Sequence, residues 1–145
     1  MDRISLAEKL FKDGCNCSQA VVGAFSDILP FDYEILMKLS SPFGGGMGRL
    51  REVCGAVSGM FMVLGFIKGY GSGPDNEEKK EVYALVQKLA KEFEDENSSI
   101  ICRELLGLSV KKDNPTPEER TKEYYQKRPC IEMVKSAVRI LEKNL

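Results

Sequence analysis

An all-α fold, a single-domain bundle of about five to seven helices, is what this amino-acid sequence predicts. Three observations carry that expectation. Apolar residues recur at helical spacing in one segment after another. Caps and breakers punctuate those segments where helices would begin and end. No stretch alternates apolar and polar residues long enough to make a useful strand. The 145 residues suit one domain, 1–145, with a real core. No repeat or linker divides them.

The elements follow in order. Ile4, Ala7 and Phe11 share a helical stripe, with Ser5 and Glu8 spaced as a capping box, and Gly14 stops this helix. Asn16 is an N-cap for a second helix striped by Val21, Ala24, Phe25 and Ile28, ending at Pro30. Asp32 opens a short third helix through Met37 and Leu39. Ser40 to Gly48, rich in glycine, reads as a loop. It leads into an apolar core helix from about Arg49 to Lys68. Gly69 to Pro74 is a second loop, and Asp75 caps a long amphipathic helix with Val82, Leu85, Val86, Leu89 and Phe93 on one face. Asn97 or Ser98 starts a short helix containing Cys102. The segment Lys111 to Lys127 is polar, with Thr116 or Thr121 capping a turn or short helix. Pro129 suits the first position of a final helix striped by Cys130, Val134, Ala137, Val138 and Leu141.

Composition narrows the function. The apolar fraction of 43% and charged fraction of 30% are those of an ordinary soluble globular protein. Twenty-one basic residues face 22 acidic ones, with no basic stripe, so no nucleic-acid partner is expected. The longest apolar stretch, Val53 to Ile67, is glycine-interrupted and shorter than the roughly 18–20 residues of a membrane span, so no membrane insertion is expected. The residues from Met1 to Ser5 do not open a secretory signal, and the expected location is cytoplasmic. Permanent disulfides are then unlooked-for, and the five cysteines, Cys15, Cys17, Cys54, Cys102 and Cys130, read as buried thiols, redox thiols or metal ligands. The chain has no histidine. That removes Cys/His zinc sites, Cys–His nucleophile pairs and Ser–His–Asp triads.

Two motifs invite chemistry. Gly44-Gly45-Gly46-Met47-Gly48 precedes a helix, as a phosphate loop would, but no Gly-Lys-Ser/Thr follows. The dinucleotide pattern also fails at Arg49, with no preceding strand. A tight turn or close backbone approach to a site fits better. In Cys54-Gly55-Ala56-Val57-Ser58-Gly59, two glycines four apart cost the helix about 1 kcal/mol each relative to alanine. A groove for a close neighbour or a bound group would repay that. Gly55 and Gly59 are therefore candidates for a narrow binding groove with the Cys54 sulfur at its edge, or for a helix or dimer seam.

The cysteines share a placement. Cys17 follows its cap Asn16, Cys130 follows Pro129, and Cys102 lies near another helix start. Basic neighbours recur: Arg51, Arg103 and Arg128. Free N–H groups and positive charge stabilise thiolate, the form that acts as nucleophile and as metal ligand.

The set Gly14-x-Asn16-Cys17-Ser18-Gln19-Ala20-Val21, then Gly44 to Gly48, then Cys54-Gly55-Ala56-x-x-Gly59, then single Cys102 and Cys130 resembles the redox-active family named for its pattern C_GCAxxG_C_C. The resemblance spans nearly the whole chain. It implies that Cys17, Cys54, Cys102 and Cys130 are the family cysteines, with Cys15 extra. It also implies a relation to anaerobic bacteria and archaea, where such proteins are largely found, and a likeness to part of the split-Soret cytochromes.

Two redox readings result. In one, a low-pKa thiol, Cys17 or Cys130, attacks a disulfide and Cys54 resolves it, making the protein a thiol oxidoreductase with an unidentified redox partner. In the other, all four thiolates hold an iron–sulfur cluster for electron transfer. Structural zinc is the lesser metal alternative, and without Cys-x-x-Cys-His no covalent haem is expected. Two rivals stand outside redox chemistry. One is an interaction protein with core cysteines and a Gly55/Gly59 homodimer seam. The other is a small-molecule binder built on the glycine loop.

Overall fold

The computed structural model describes residues 1–73, 75–109 and 112–145. Pro74, which closes the second expected loop, and Lys111, which opens the polar segment, lie outside the described residues. The fold is all-α: α1 (Arg3–Lys12), α2 (Cys17–Ala24), α3 (Tyr33–Ser40), α4 (Gly55–Lys68), α5 (Asn76–Asn97), α6 (Cys102–Leu105), α7 (Lys122–Lys127) and α8 (Cys130–Asn144). Six of these have eight residues or more, in keeping with the expected bundle. The one β contact among the described residues is an isolated antiparallel bridge, Val53 with Ile101.

Helix α2 is the hub. It packs on α1, α3, α4 and α8, and its residues from Ala20 to Ala24 are all buried. Such an all-round apolar helix must lie inside a bundle. Helix α8 carries a strong stripe, with Val134, Ala137, Val138 and Leu141 completely buried, and lies against α1, α2, α4 and α5. Helix α5 is polar on most of its surface and buries only Leu89 and Phe93. Each large apolar side chain buried this way contributes roughly 1.5–3 kcal/mol. None of the described helices is long and apolar enough to cross a membrane.

Local chemistry sets the ends. The Asn16 side chain accepts from Gln19 N, and the Gln19 side chain accepts from Asn16 N, which makes a reciprocal capping box. Asp75 accepts from Glu78 N, and Thr121 accepts from Tyr124 N. The expected Ser5–Glu8 box is not the start of α1. Asp2 caps that helix by accepting from Ser5 N at 2.7 Å. Helix α2 ends at Ala24, before Pro30, because the chain tightens into a 3₁₀ turn over Ser26–Ile28. Asn97 ends α5 rather than starting the next helix: Ser98, left-handed at φ 77°, caps it.

The largest departure is the core helix. It begins at Gly55, not near Arg49. Residues 45 to 49 all have φ between 62° and 69°, which makes a left-handed turn closed by Gly48 N donating to Gly44 O at 2.9 Å. Arg51 is also left-handed. The segment that follows is held by Glu52 N on Gly46 O, Cys102 N on Glu52 O and Cys54 N on Ile100 O. A right-handed helix through residues 49–53 would break all three of these bonds.

Candidate functional site

All four family cysteines stand at helix starts. Cys17, Cys102 and Cys130 are the first residues of α2, α6 and α8, and Cys54 is the cap residue of α4. The late start of α4 therefore extends to Cys54 a placement expected for only three of them. The first turns of these helices carry N–H groups without intrahelical partners. A thiolate there gains from them, most at the longer helices, where the dipole is substantial.

The glycines bring these starts together. A side chain at Gly55 would put its Cβ 3.2 Å from Cys17 Cβ and 2.8 Å from Phe43 O. One at Gly59 would stand 2.9 Å from Ser18 O. The notch of Cys-Gly-Ala-x-x-Gly is thus filled by the start of α2, which seats Cys17 beside Cys54. It is occupied within the chain and is not a seam left for a second copy. Gly55 also lines the cavity described next, whereas Gly59 is not among its lining residues. The glycine loop works in a similar way. Gly46 has φ 67°, and a Cβ there would lie 2.5 Å from Cys102 Cβ. A left-handed residue costs a non-glycine roughly 1–2 kcal/mol. Met47 and Arg49 accept that strain, and Gly46 avoids both the strain and the clash.

The four sulfur-bearing residues line one cavity of about 410 Å³, together with Gly44 to Gly46, Gly48 and Gly55. Phe11, Leu105, Leu106, Met133 and Tyr124 add apolar wall, and Pro115 and Pro117 close a side. Cys15 does not line it. Burial raises the Cys15 thiol, and a hydrogen bond with Tyr33 holds that rise back. All five cysteines are free thiols.

The thiols are not equivalent. Cys17 and Cys130 line the same cavity, and each perturbs the other's titration. The neighbouring Cys17 thiol is the largest cause of a Cys130 pKa lowered to about 7. Burial opposes it, while Tyr124, Arg128 and Arg120 assist. Cys17 correspondingly keeps its proton, its pKa raised well above the usual thiol value by the neighbouring Cys130 and by burial. Burial pushes Cys54 up to about 12, against the pull of the Ala56 and Val57 N–H groups. Burial also raises Cys102, against the Arg51 guanidinium, whose Nη1 donates to Cys102 Sγ at 3.6 Å.

Arginines frame the cavity. Arg49 and Arg51 share Asp113, each at 3.1 Å. Arg49 Nε donates to Asn114 O at 2.7 Å, and Asp113 N donates to Arg49 O. The left-handed turn thereby holds the Asp113–Pro117 segment over the site. Arg120 anchors the other end: it donates to Phe11 O and to Cys15 O and lies 4.1 Å over the Phe11 ring. Arg51 is 4% exposed, and its Nε–H has no partner among the described residues. An unmet buried donor costs roughly 1–3 kcal/mol.

Sequence reasoning singled out the four cysteines, Arg51 and Arg128, but not Arg49, Arg120 or Tyr124 as site groups. Arg120 sits in a polar segment where nothing at helical spacing links it to a cysteine. Its role depends on contacts more than a hundred positions away in the chain.

The donor set around the cavity, four thiols and no histidine, has the chemistry of an iron–sulfur or zinc site. Among the described residues, however, no three Cys, Asp or Glu side chains stand close enough together to hold a single metal ion. No curated protein and no solved structure matches the chain. A family model described as "Putative redox-active protein (C_GCAxxG_C_C)" matches residues 15–144. That span holds all five cysteines and both glycine motifs, and the chain belongs to this redox-active family.

Proposed function

We propose that this protein is a dithiol–disulfide oxidoreductase whose working pair is Cys130 and Cys17. The observation that carries this reading is that the two thiols line one cavity and perturb each other in opposite directions, Cys130 lowered and Cys17 raised. Their effect on each other does two things at once. It prepares a Cys130 thiolate near neutral pH, and it keeps a protonated second thiol within reach of the sulfur that will need resolving. Cys17 replaces Cys54 as resolving residue, because Cys54 is buried and its thiol is pushed up to about 12. Cys54 and Cys102 form the back of the site as protonated, apolar sulfur.

In the forward step, Cys130 thiolate attacks one sulfur of a disulfide, and the other leaves as thiolate. Cys17 then attacks Cys130 sulfur, the mixed disulfide breaks, and a Cys17–Cys130 disulfide remains. Two electrons pass from the protein to the disulfide. Tyr124, Arg128 and Arg120 all favour the thiolate form of Cys130.

A second reading, a cluster held by all four thiolates for electron transfer, is favoured by one observation: all four cysteines stand at helix starts around one cavity. A multi-iron cluster spreads its ligands further apart than a single ion does, so the spacing that disfavours zinc does not weigh equally against it. Anaerobic purification followed by metal analysis and a thiol titration separates the two. The dithiol reading expects a colourless protein with five titratable thiols, falling to three on mild oxidation. Bound iron with inorganic sulfide and visible absorption would overturn it in favour of the cluster.

A further inference from the structure

The cavity carries a charge pattern that the pairing of two cysteines does not require. Four guanidinium groups line it: Arg49, Arg51, Arg120 and Arg128. Two carboxylates answer them. Asp113 is shared by Arg49 and Arg51, and Glu118 pairs with Arg128 at 3.0 Å. Arg120 has no carboxylate partner among the described residues, since its nitrogens go to two backbone carbonyls. Arg51 presents a buried Nε–H with no partner. The site thus holds an excess of about two positive charges, of which one Cys130 thiolate would offset only one. A guanidinium keeps its charge at any working pH, and excess positive charge within a walled cavity favours an anionic ligand.

The rest of the wall fixes the size and character of the occupant. Phe11, Leu105, Leu106 and Met133 give it an apolar face. About 410 Å³ is room for roughly a dozen waters at about 30 Å³ each, and it falls in the range of small-molecule sites. Pro115 and Pro117, held over the site by Arg49, narrow the space. That is room for a small molecule.

Resting on the dithiol reading, we infer that the oxidant is a low-molecular-weight disulfide bearing carboxylate groups, drawn in by the net positive charge of the arginine-lined cavity. Attack by Cys130 breaks its S–S bond and expels one carboxylate-bearing thiolate. Attack by Cys17 expels the second and releases one proton. The protein loses two electrons and the small disulfide gains two.

The test uses the full reduced chain and three disulfides that differ in charge: 5,5′-dithiobis(2-nitrobenzoate), neutral 4,4′-dithiodipyridine, and cationic cystamine. Each single-turnover rate is divided by that reagent's rate with 2-mercaptoethanol, which removes intrinsic reactivity. The normalised rate should be about tenfold or more higher for the dicarboxylate than for the neutral reagent at low salt, because a charged, walled cleft raises encounter rates by 10–10³. Cystamine should be slowest, and added salt should compress the ranking. Arg120→Gln should lower the ratio of the dicarboxylate rate to the neutral one; the salt series gives the same information without a variant. Equal normalised rates, or a preference for cystamine, would overturn the inference while leaving the dithiol reading standing. If no reagent yields a Cys17–Cys130 disulfide, the dithiol reading itself fails, and the substrate assignment falls with it.

Discussion

Replacing Cys17 with alanine removes the largest cause of the low Cys130 pKa. In the intact protein Cys130 titrates near 7, so about half of it is thiolate at pH 7. A free cysteine at about 8.5 is only about 3% ionised there, which makes the gain in thiolate roughly 16-fold. Nucleophilicity falls with pKa at a slope of about 0.4–0.5, so a drop of about 1.5 units weakens each thiolate roughly fivefold. The net advantage at pH 7 is only about threefold. The absolute rate is therefore a poor witness, and the position of the pH profile is the good one. Alkylation of Cys130 by iodoacetamide, followed peptide by peptide by mass spectrometry, should rise through a midpoint near 7 as pH increases. In Cys17→Ala the midpoint should move up, with a higher plateau above it, because the less stabilised thiolate is the stronger nucleophile. Tyr124→Phe should move it the same way by less, since Tyr124 ranks below Cys17 among the causes. A midpoint that stays near 7 without Cys17 would refute the account of how Cys130 is activated.

Other consequences are as direct. Gly46→Ala places a Cβ 2.5 Å from Cys102 Cβ in a left-handed residue; chemical denaturation should show a loss of at least about 1–2 kcal/mol from the backbone strain alone, and Cys102 should become more reactive to thiol reagents. Phe93→Ala empties the main buried side chain of α5 and should cost about 3–5 kcal/mol while leaving the Cys130 midpoint unchanged. Asn16→Ala removes the cap that seats Cys17 and should lower stability by about 0.5–2 kcal/mol, with the Cys130 midpoint rising as Cys17 loses its fixed position. Cys54, with a folded pKa of about 12 against about 8.5 unfolded, contributes stability that is complete below about 8.5 and is lost as pH rises from there towards 12. Cys54→Ala should flatten that alkaline loss in denaturation curves taken across the same range.

Three helix starts were legible from the polar side chain that caps them. Asn16, Asp75 and Thr121 cap α2, α5 and α7 as a local rule expects. Where two local signals competed, the text of the chain misled: Asp2 outranks Ser5 at α1 because its carboxylate reaches Ser5 N. The stretch from Arg49 to Val53 was illegible for a different reason. Its apolar and basic residues suit a helix, but a left-handed turn and bonds to Gly46, Ile100 and Cys102 hold it open, and those partners lie on other segments. The site divides along the same line. The four cysteines were singled out by the family resemblance and the Gly55/Gly59 notch by the cost of glycine in a helix, and the structure lines one cavity with those cysteines and Gly55. Which sulfur faces which does not follow from sequence, because the pairing of Cys17 with Cys130 depends on how α2 and α8 pack. The frame of Arg49, Arg120 and Tyr124 likewise exists only once the Asp113–Arg120 segment has crossed the cavity.

The most direct test of the central claim is to oxidise the reduced protein with a single equivalent of a small disulfide and map the bond formed by non-reducing digestion and mass spectrometry. A Cys17–Cys130 disulfide as the major product, with Cys15, Cys54 and Cys102 still alkylatable after unfolding, is the result expected from the shared cavity and mutual perturbation of those two thiols. A major product that joins Cys54 or Cys102 to another cysteine, or a protein that forms no internal disulfide at all, would contradict it.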